Sequence, residues 1–202
     1  MIEKQLLAAG ITKVAGVDEA GRGPCAGPLV IASVILKDPI SSKLSEIRDS
    51  KLLTPAKRDR LFDLVLAESI SYSIIEIGVD EIDSLGLHKC NLEGMRRAVT
   101  SLEVEPEYVL TDGYAIPGLI TPNLAVWKGD QVAISISAAS ILAKVYRDRI
   151  MVELDDKYPG YGLAGHKGYI TKSHTDAIKE LGVLPIHRKS FANIAEIINS
   201  RD

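Results

Sequence analysis

The chain has 202 residues, 46% hydrophobic and 25% charged, a length and balance that fit one globular unit with a substantial core. Its two cysteines, Cys25 and Cys90, exclude a disulfide framework and a zinc-binding spacing, and suit a reducing, cytoplasmic setting. A net charge of −3 argues against a uniformly basic nucleic-acid binder, but Lys157 to Lys189 holds six Lys and Arg against two Asp and Glu, with three of the four histidines.

The opening "MIEKQLLAAGITK" sets Glu3, Lys4 and Lys13 around a short apolar stretch, poor material for a signal peptide. The longest apolar run, Cys25 to Leu36, contains Gly27 and Pro28 and falls short of the roughly 18 residues a membrane span needs, so no membrane contact is expected. Val14–Val17 and Pro28–Leu36 predict neighbouring strands joined by a glycine- and proline-rich turn. Thr54 and Pro55 then supply an N-cap and a first-turn proline, and Leu61, Leu64, Val65 and Ile70 follow at helical spacing. Ser71–Val79 is β-branched and predicts a third strand, and Leu87–Leu102 a second helix. "EYVLTDG" and "NLAVWKGD" predict two strands, each ending in an aspartate, Asp112 and Asp130, and Trp127 in the second is expected in the core. From Gln131 a long helix puts Ile134, Ala138, Ile141, Leu142, Val145 and Val152 on one side. With no linker, repeat or low-complexity tract, this order predicts a single α/β unit over residues 1–202: a body to about residue 158 and a helical extension from about 159.

Asp18, Glu19, Asp112 and Asp130 all fall at the ends of predicted strands, where neighbouring strands would crowd them on one rim. Taken singly each is an ordinary turn or capping acid, but four together repel one another unless cations hold them. Oxygen-only ligands suit Mg²⁺ or Mn²⁺, and two such ions about 4 Å apart activate water and stabilise a leaving oxygen on phosphate. Regular strand geometry points Asp18 and Glu19 to opposite faces, so the strand is expected to end or twist there, helped by Gly21 and Gly23.

"GRGPCA" meets the dinucleotide-binding pattern G-x-G-x-x-G/A, the runner-up reading, yet Pro24, Gly27 and Pro28 lead into a strand instead of the required helix. Arg22 is then placed to reach a phosphate. Ser140, Lys144 and Arg147 share a stripe of the long helix; Lys144, in apolar surroundings, calls for an anion, whereas Arg147 beside Asp148 and Arg149 reads as a solvent-face ion pair. "YPGYGLAGHKGYIT" mixes Tyr158, Tyr161 and Tyr169 with His166 and Lys167, which suits stacking beside phosphate contacts. Cys25 and Cys90 read as small buried residues.

"GVDEAGRGPCAGPLV", "DSK", "TDG", "KGD", "SAASILAKVYRDRIM" and "HKGYITKSHTDAIKELGVLPIHRKSF", in order over about residues 14 to 192, resemble bacterial ribonuclease HII. The resemblance implies a ribonuclease H-like fold, a mixed central sheet flanked by helices with a C-terminal helical extension. It implies cleavage of RNA paired to DNA and nicking of DNA on the 5′ side of an embedded ribonucleotide, leaving 3′-hydroxyl and 5′-phosphate ends; a monomer is expected. Asp18, Glu19, Asp112 and Asp130 match the carboxylates that bind Mg²⁺ or Mn²⁺. Gly21, Arg22 and Gly23 match the loop at the ribonucleotide 2′-hydroxyl, Tyr169 the tyrosine stacked at the RNA–DNA junction, and Lys51, Ser140 and Lys144 the phosphate contacts. The chain departs from the family's frequent second lysine after "DS", with Leu52 in its place. The related ribonuclease HIII carries a different glycine loop and an N-terminal extension, whereas only 17 residues precede Asp18 here.

Overall fold

The computed structural model describes residues 2–52 and 54–200, leaving out the side chains of residues 48–52 and 55. In chain order it has α1 (Ile2–Ala8), β1 (Val14–Ala20), β2 (Leu29–Leu36), a 3-10 segment (Ser42–Leu52), α2 (Pro55–Ala67) and β3 (Ser69–Ile77). These are followed by α3 (Val79–Leu85), α4 (Leu87–Thr100), β4 (Tyr108–Asp112), β5 (Asn123–Val126), α5 (Gly129–Val132) and α6 (Ile134–Lys157). The C-terminal region is helical, with α7 (Leu163–His166), α8 (Lys172–Leu181) and α9 (Ala192–Asn199).

The strands form one mixed sheet in the order β3-β2-β1-β4-β5. β1–β2 and β2–β3 are antiparallel, β1–β4 and β4–β5 parallel. Helices cover both faces, which is why all eight residues of β2 are buried. Val30, Ala32, Val34 and Leu36 pack with Leu61 and Val65 of α2 and Ile134, Ala138 and Leu142 of α6. Leu29, Ile31 and Ile35, on the other face, pack with Ile82 of α3 and Met95 and Ala98 of α4. The period-2 alternation of a strand thus feeds two separate cores.

Two features fix α6 against the sheet. Gly16 of β1 lies so close to the start of α6 that a Cβ there would overlap the backbone of Ser135 and Ile136. Glu3 of α1 is fully buried, and its Oε1 accepts from the Ser135 N–H (3.0 Å) and hydroxyl (2.8 Å). A carboxylate at a helix N-terminus satisfies otherwise orphaned donors and complements the helix dipole. The apolar opening segment is therefore the cap of the longest helix.

Several expectations need correction. β1 does not stop at Val17 but pairs with β2 through Asp18↔Ala32, Glu19↔Ile31 and Ala20↔Val30. β5 ends at Val126, so Asp130 belongs to the short helix α5, and Trp127 is 82% exposed instead of packed in the core. Ile70 belongs to β3 and is exposed, because α2 ends at Ala67. Val152 faces outward on α6, and Tyr158 and Tyr161 pack inside the C-terminal region with Leu163, Ile178, Ile194 and Met151. Cys25 and Cys90 are free and buried, as expected. Among the described residues no helix is long and apolar enough to cross a membrane.

Gly16→Ala is expected to lower stability by about 1–3 kcal/mol, the usual cost of overpacking a filled site. Gly78→Ala, where a Cβ meets nothing within 4 Å, serves as the control. Thermal melts of the two variants check this; equal melting temperatures would refute the close approach.

Candidate active site

The pairing of β1 and β4 ends at Val17↔Thr111, which leaves Asp18 and Asp112 as the next residues along two parallel neighbours. Their carboxylates therefore meet at the rim where the sheet opens. Asp18 is buried beside α6, and its Oδ1 accepts from the Glu19 N–H at 2.8 Å. Burial, and then the Glu19 and Asp112 charges, push its carboxyl well above the usual carboxylate range, while the Ser140 hydroxyl of α6 pulls the other way. Glu19 is also raised, first by burial; Arg22 opposes the rise, Asp112 adds to it, and Asn91 of α4 opposes it. Glu19 and Asp18 thus look to opposite helices, as strand geometry demands, and Asp112 interacts with both.

Asp112 accepts the Gly129 N–H on Oδ1 at 2.8 Å, which ties the end of β4 to α5. Asp130, the next residue, is buried, and its carbonyl accepts from the Ser137 hydroxyl of α6. The turn into α5 runs through Lys128 in the left-handed region (φ 51°). A short turn, not a strand end, carries the fourth acid, one residue on from the Gly129 N–H that Asp112 accepts.

At Glu19 the rim opens into a groove of about 360 Å³ lined also by Gly21, Arg22, Gly23, Ser140, Lys144, Tyr169 and Arg58. The loop after β1 shapes one wall. Gly21 adopts φ +98°, and a Cβ there would overlap the Arg147 side chain, so only glycine fits. No helix follows the loop, which runs directly into β2, so the dinucleotide reading of "GRGPCA" fails on structure. Arg22 pairs with Glu19 at 3.5 Å, donates to the Tyr114 hydroxyl at 3.1 Å and lies 4.8 Å from the centre of the Tyr114 ring. Tyr169, about half exposed, lies against Gly23. Lys144 pairs with Asp148 at 2.7 Å while lining the groove. Lys51 falls outside the described side chains, as does Leu52.

Arg147 contradicts its sequence reading: it is 1% exposed and donates to the carbonyls of Pro28 (2.9 Å), Ala26 (3.0 Å) and Lys167 (3.0 Å). His166 is also turned inward, its Nε2 bonding the Tyr161 carbonyl at 2.8 Å. Of the mixed segment, only Tyr169 reaches the groove beside the acids. Sequence reasoning missed three neighbours. Arg58 carries no local signal beyond its charge. Tyr114 follows the "TDG" turn directly, and Asn91 is an amide on the buried stripe of Cys90, Met95 and Ala98, an anomaly visible in the sequence.

The carboxylates suit a hard divalent cation in donor chemistry. Glu19 Oε2 is buried with no hydrogen-bond partner, and the raised affinity of Asp18 and Glu19 for protons is what a cation would relieve. Among the described residues no three such side chains close around a single point.

Raised carboxyls in the folded state favour it below about pH 4, the unfolded value, and that stability is lost as pH rises through the folded values. Asp18→Asn removes one of the repelling charges. In chelator, the variant is expected to melt above wild type at pH 8, with the gap closing toward pH 5. Melts at both pH values check it, and a variant less stable than wild type at pH 8 would assign Asp18 to structure.

The model of the family described as Ribonuclease HII matches residues 15–194. A ribonuclease HII of Salinispora arenicola is 53% identical over 200 residues, covering 99% of this chain and 74% of its own length. One from Corynebacterium jeikeium is 52% identical over 195 residues, covering 96% of this chain and 94% of its own. The crystal structure of the ribonuclease H2 from Pyrococcus horikoshii is similar at 30% identity and a TM-score of 0.84, over 93% of this chain and 98% of that one. The ribonuclease HII solved with PCNA from Archaeoglobus fulgidus is similar at 25% identity and a TM-score of 0.73, over 91% and 96%. Similarity along nearly the whole chain, through every element that builds the rim and groove, shows that it belongs to the ribonuclease HII family, metal-dependent endonucleases acting on RNA–DNA hybrids.

Proposed function

We propose that this enzyme, besides cutting the RNA strand of hybrids, nicks duplex DNA on the 5′ side of a single embedded ribonucleotide, leaving 3′-hydroxyl and 5′-phosphate ends. The observation that carries the reading is the groove itself, in which Arg22, Lys144 and Tyr169 line the same space as Glu19, whose neighbour Asp18 has its carboxyl pushed up by burial and by the Glu19 and Asp112 charges. Asp18, Glu19, Asp112 and Asp130 are the residues we assign to hold Mg²⁺ or Mn²⁺, two ions during catalysis. When bound, such ions lower the pKa of water and stabilise charge on phosphate oxygens.

The chain's own groups do the positioning. The Gly21–Arg22–Gly23 loop brings backbone close to the ribose, where the 2′-hydroxyl, donor and acceptor at once, tells RNA from DNA. Arg22 is pre-set by Glu19 and Tyr114, and its buried Nε has no hydrogen-bond partner, which leaves a donor for a phosphate. Ser140 and Lys144 on α6, with Lys51 on the 3-10 segment, are assigned to the backbone around the cut, and Leu52 stands where a further cation would add a contact. Tyr169 offers a half-exposed ring for stacking at the step from ribose to deoxyribose. We assign the substrate-binding unit as a monomer of one domain, residues 1–202, with the region after about residue 158 as its helical extension, working in the cytoplasm.

The test uses duplex DNA with one ribonucleotide and a long hybrid, each with Mg²⁺ or Mn²⁺ and then with chelator. Both are expected to be cut only with metal, and Asp112→Asn to lose nearly all activity on each. Tyr169→Ala is expected to cost roughly 1–3 kcal/mol on the single ribonucleotide, about 5- to 150-fold in kcat/KM. The loss on the long hybrid should be smaller, because other registers remain open there. Equal losses on the two substrates would sink junction sensing, and binding without cleavage would make the chain a hybrid-binding module.

A further inference from the structure

Beneath Tyr169 lies a chain of buried histidines that none of the chemistry above uses. The Leu184 N–H donates to His187 Nδ1 at 2.8 Å. His187 Nε2 meets His174 Nε2 at 3.1 Å, and His174 Nδ1 meets the carbonyl of Tyr169 at 3.0 Å. Both rings are fully buried. His166 stacks on His174, with ring centroids 4.2 Å apart and planes 21° apart, and its Nδ1 accepts from the Gly168 N–H at 3.2 Å.

The partners at the two ends determine every proton between them. An amide N–H can only donate, so His187 Nδ1 carries a lone pair and the ring's proton sits on Nε2. That proton points at His174 Nε2, which must therefore accept, and His174 carries its own proton on Nδ1. A carbonyl can only accept, so Nδ1–H donates to Tyr169. The same logic makes His166 Nε2 the donor to Tyr161. A second proton on either His174 or His187 would set N–H against N–H inside the core. Burial keeps both rings neutral, and the neighbouring ring's charge adds to it at His187, whose pKa is pushed down to about 4.

The relay ends on the main chain of the residue whose ring lines the groove. The Tyr169 N–H donates to the His166 main-chain carbonyl at 2.9 Å, and the Tyr169 carbonyl that His174 reaches also accepts from the Thr171 N–H at 3.0 Å. The segment bends tightly just before it, with Lys167 (φ 52°) and Gly168 (φ 80°) in the left-handed region. Opposite, the Tyr169 ring meets Gly23.

We propose that His174, oriented by His187, is a positioning residue that fixes Tyr169 over Gly23 and so sets how strongly the enzyme prefers a single ribonucleotide in DNA to a long hybrid. The inference rests on the reading that Tyr169 contacts the junction. His174→Phe keeps ring volume and removes the donor; His174→Asn places an amide donor near the lost Nδ1–H. Each is made alone and together with Tyr169→Ala, and kcat/KM is measured on both substrates alongside thermal melts. His174→Phe is expected to lose about tenfold on the single ribonucleotide, the scale of one positioning hydrogen bond, and clearly less on the hybrid. His174→Asn is expected to recover most of the loss. With Tyr169→Ala already present, His174→Phe is expected to cost nothing more. A loss of equal size in both backgrounds, or on both substrates, would overturn the relay's role while leaving Tyr169 at the junction. A Tyr169→Ala variant with unchanged substrate preference would overturn the junction reading and the relay together. Should His174→Phe fail to fold, nitrogen NMR of the wild-type protein at pH 7 decides: neutral His174 protonated on Nδ1 and His187 on Nε2 are expected, and a charged or Nε2-protonated His174 would refute the relay.

Discussion

The groove depends on two buried guanidinium ions that hold a loop with no secondary structure of its own. Arg147 of α6 donates to the carbonyls of Ala26 and Pro28, and Arg188 donates to Gly27 twice and to Arg22 once. Among the described residues neither forms an ion pair, so fixed backbone dipoles replace the water each charge has lost. The arrangement is under electrostatic load: burial, and then the Arg147 charge, pull Arg188 down to about 10. A planar fork with several donors can satisfy converging carbonyls in a way a lysine cannot. The curve of the loop, and with it the placement of Gly21 to Gly23, follows from those bonds.

The same loop joins the C-terminal region to the sheet. The Cys25 N–H bonds to the Gly168 carbonyl at 3.0 Å, the Arg188 N–H to Cys25 at 2.8 Å, and the Gly27 N–H to Ile186 at 2.9 Å, around an isolated bridge between Ala26 and His187. The helices after Pro159 therefore complete one wall of the groove instead of hanging beside it. Their surplus of lysines, suggestive as a nucleic-acid surface, counts for less than the main-chain contacts that set Tyr169 opposite Gly23.

At the rim the balance runs against stability. The sheet opens where β1 outlasts its pairing with β4, and that opening is where burial, with the Asp112 charge adding to it, raises the proton affinity of Asp18 and Glu19. A fold serving stability alone would place apolar or paired groups there. The strain is tolerable because the surroundings are over-determined: α6 is pinned by Gly16 and by Glu3, and the double-sided core of β2 holds the adjacent strand.

Periodicity and turn chemistry made much of this legible. β2 read as a continuous apolar run, α4 and α6 as helical stripes, and the four acids and the glycine loop as chemistry, because those signals are local and repeat along the chain. The sequence pattern could also say that "GRGPCA" opens no helix, since proline and β-branched residues forbid one. It could not say that Arg147 points inward while Arg149, two residues on, pairs with Asp59 at the surface, because the carbonyls that receive Arg147 come from residues 26, 28 and 167. Nor could it show that Glu3 caps a helix beginning at residue 134, that Asp130 arrives by a short turn after β5 has ended, or that Trp127 is left outside. Residue types and their local spacing determined the elements and the inventory of reactive groups. Only the tertiary structure decided which of those groups meet, because a buried polar atom takes its partner from whatever the fold brings within about 3 Å, at any distance along the chain.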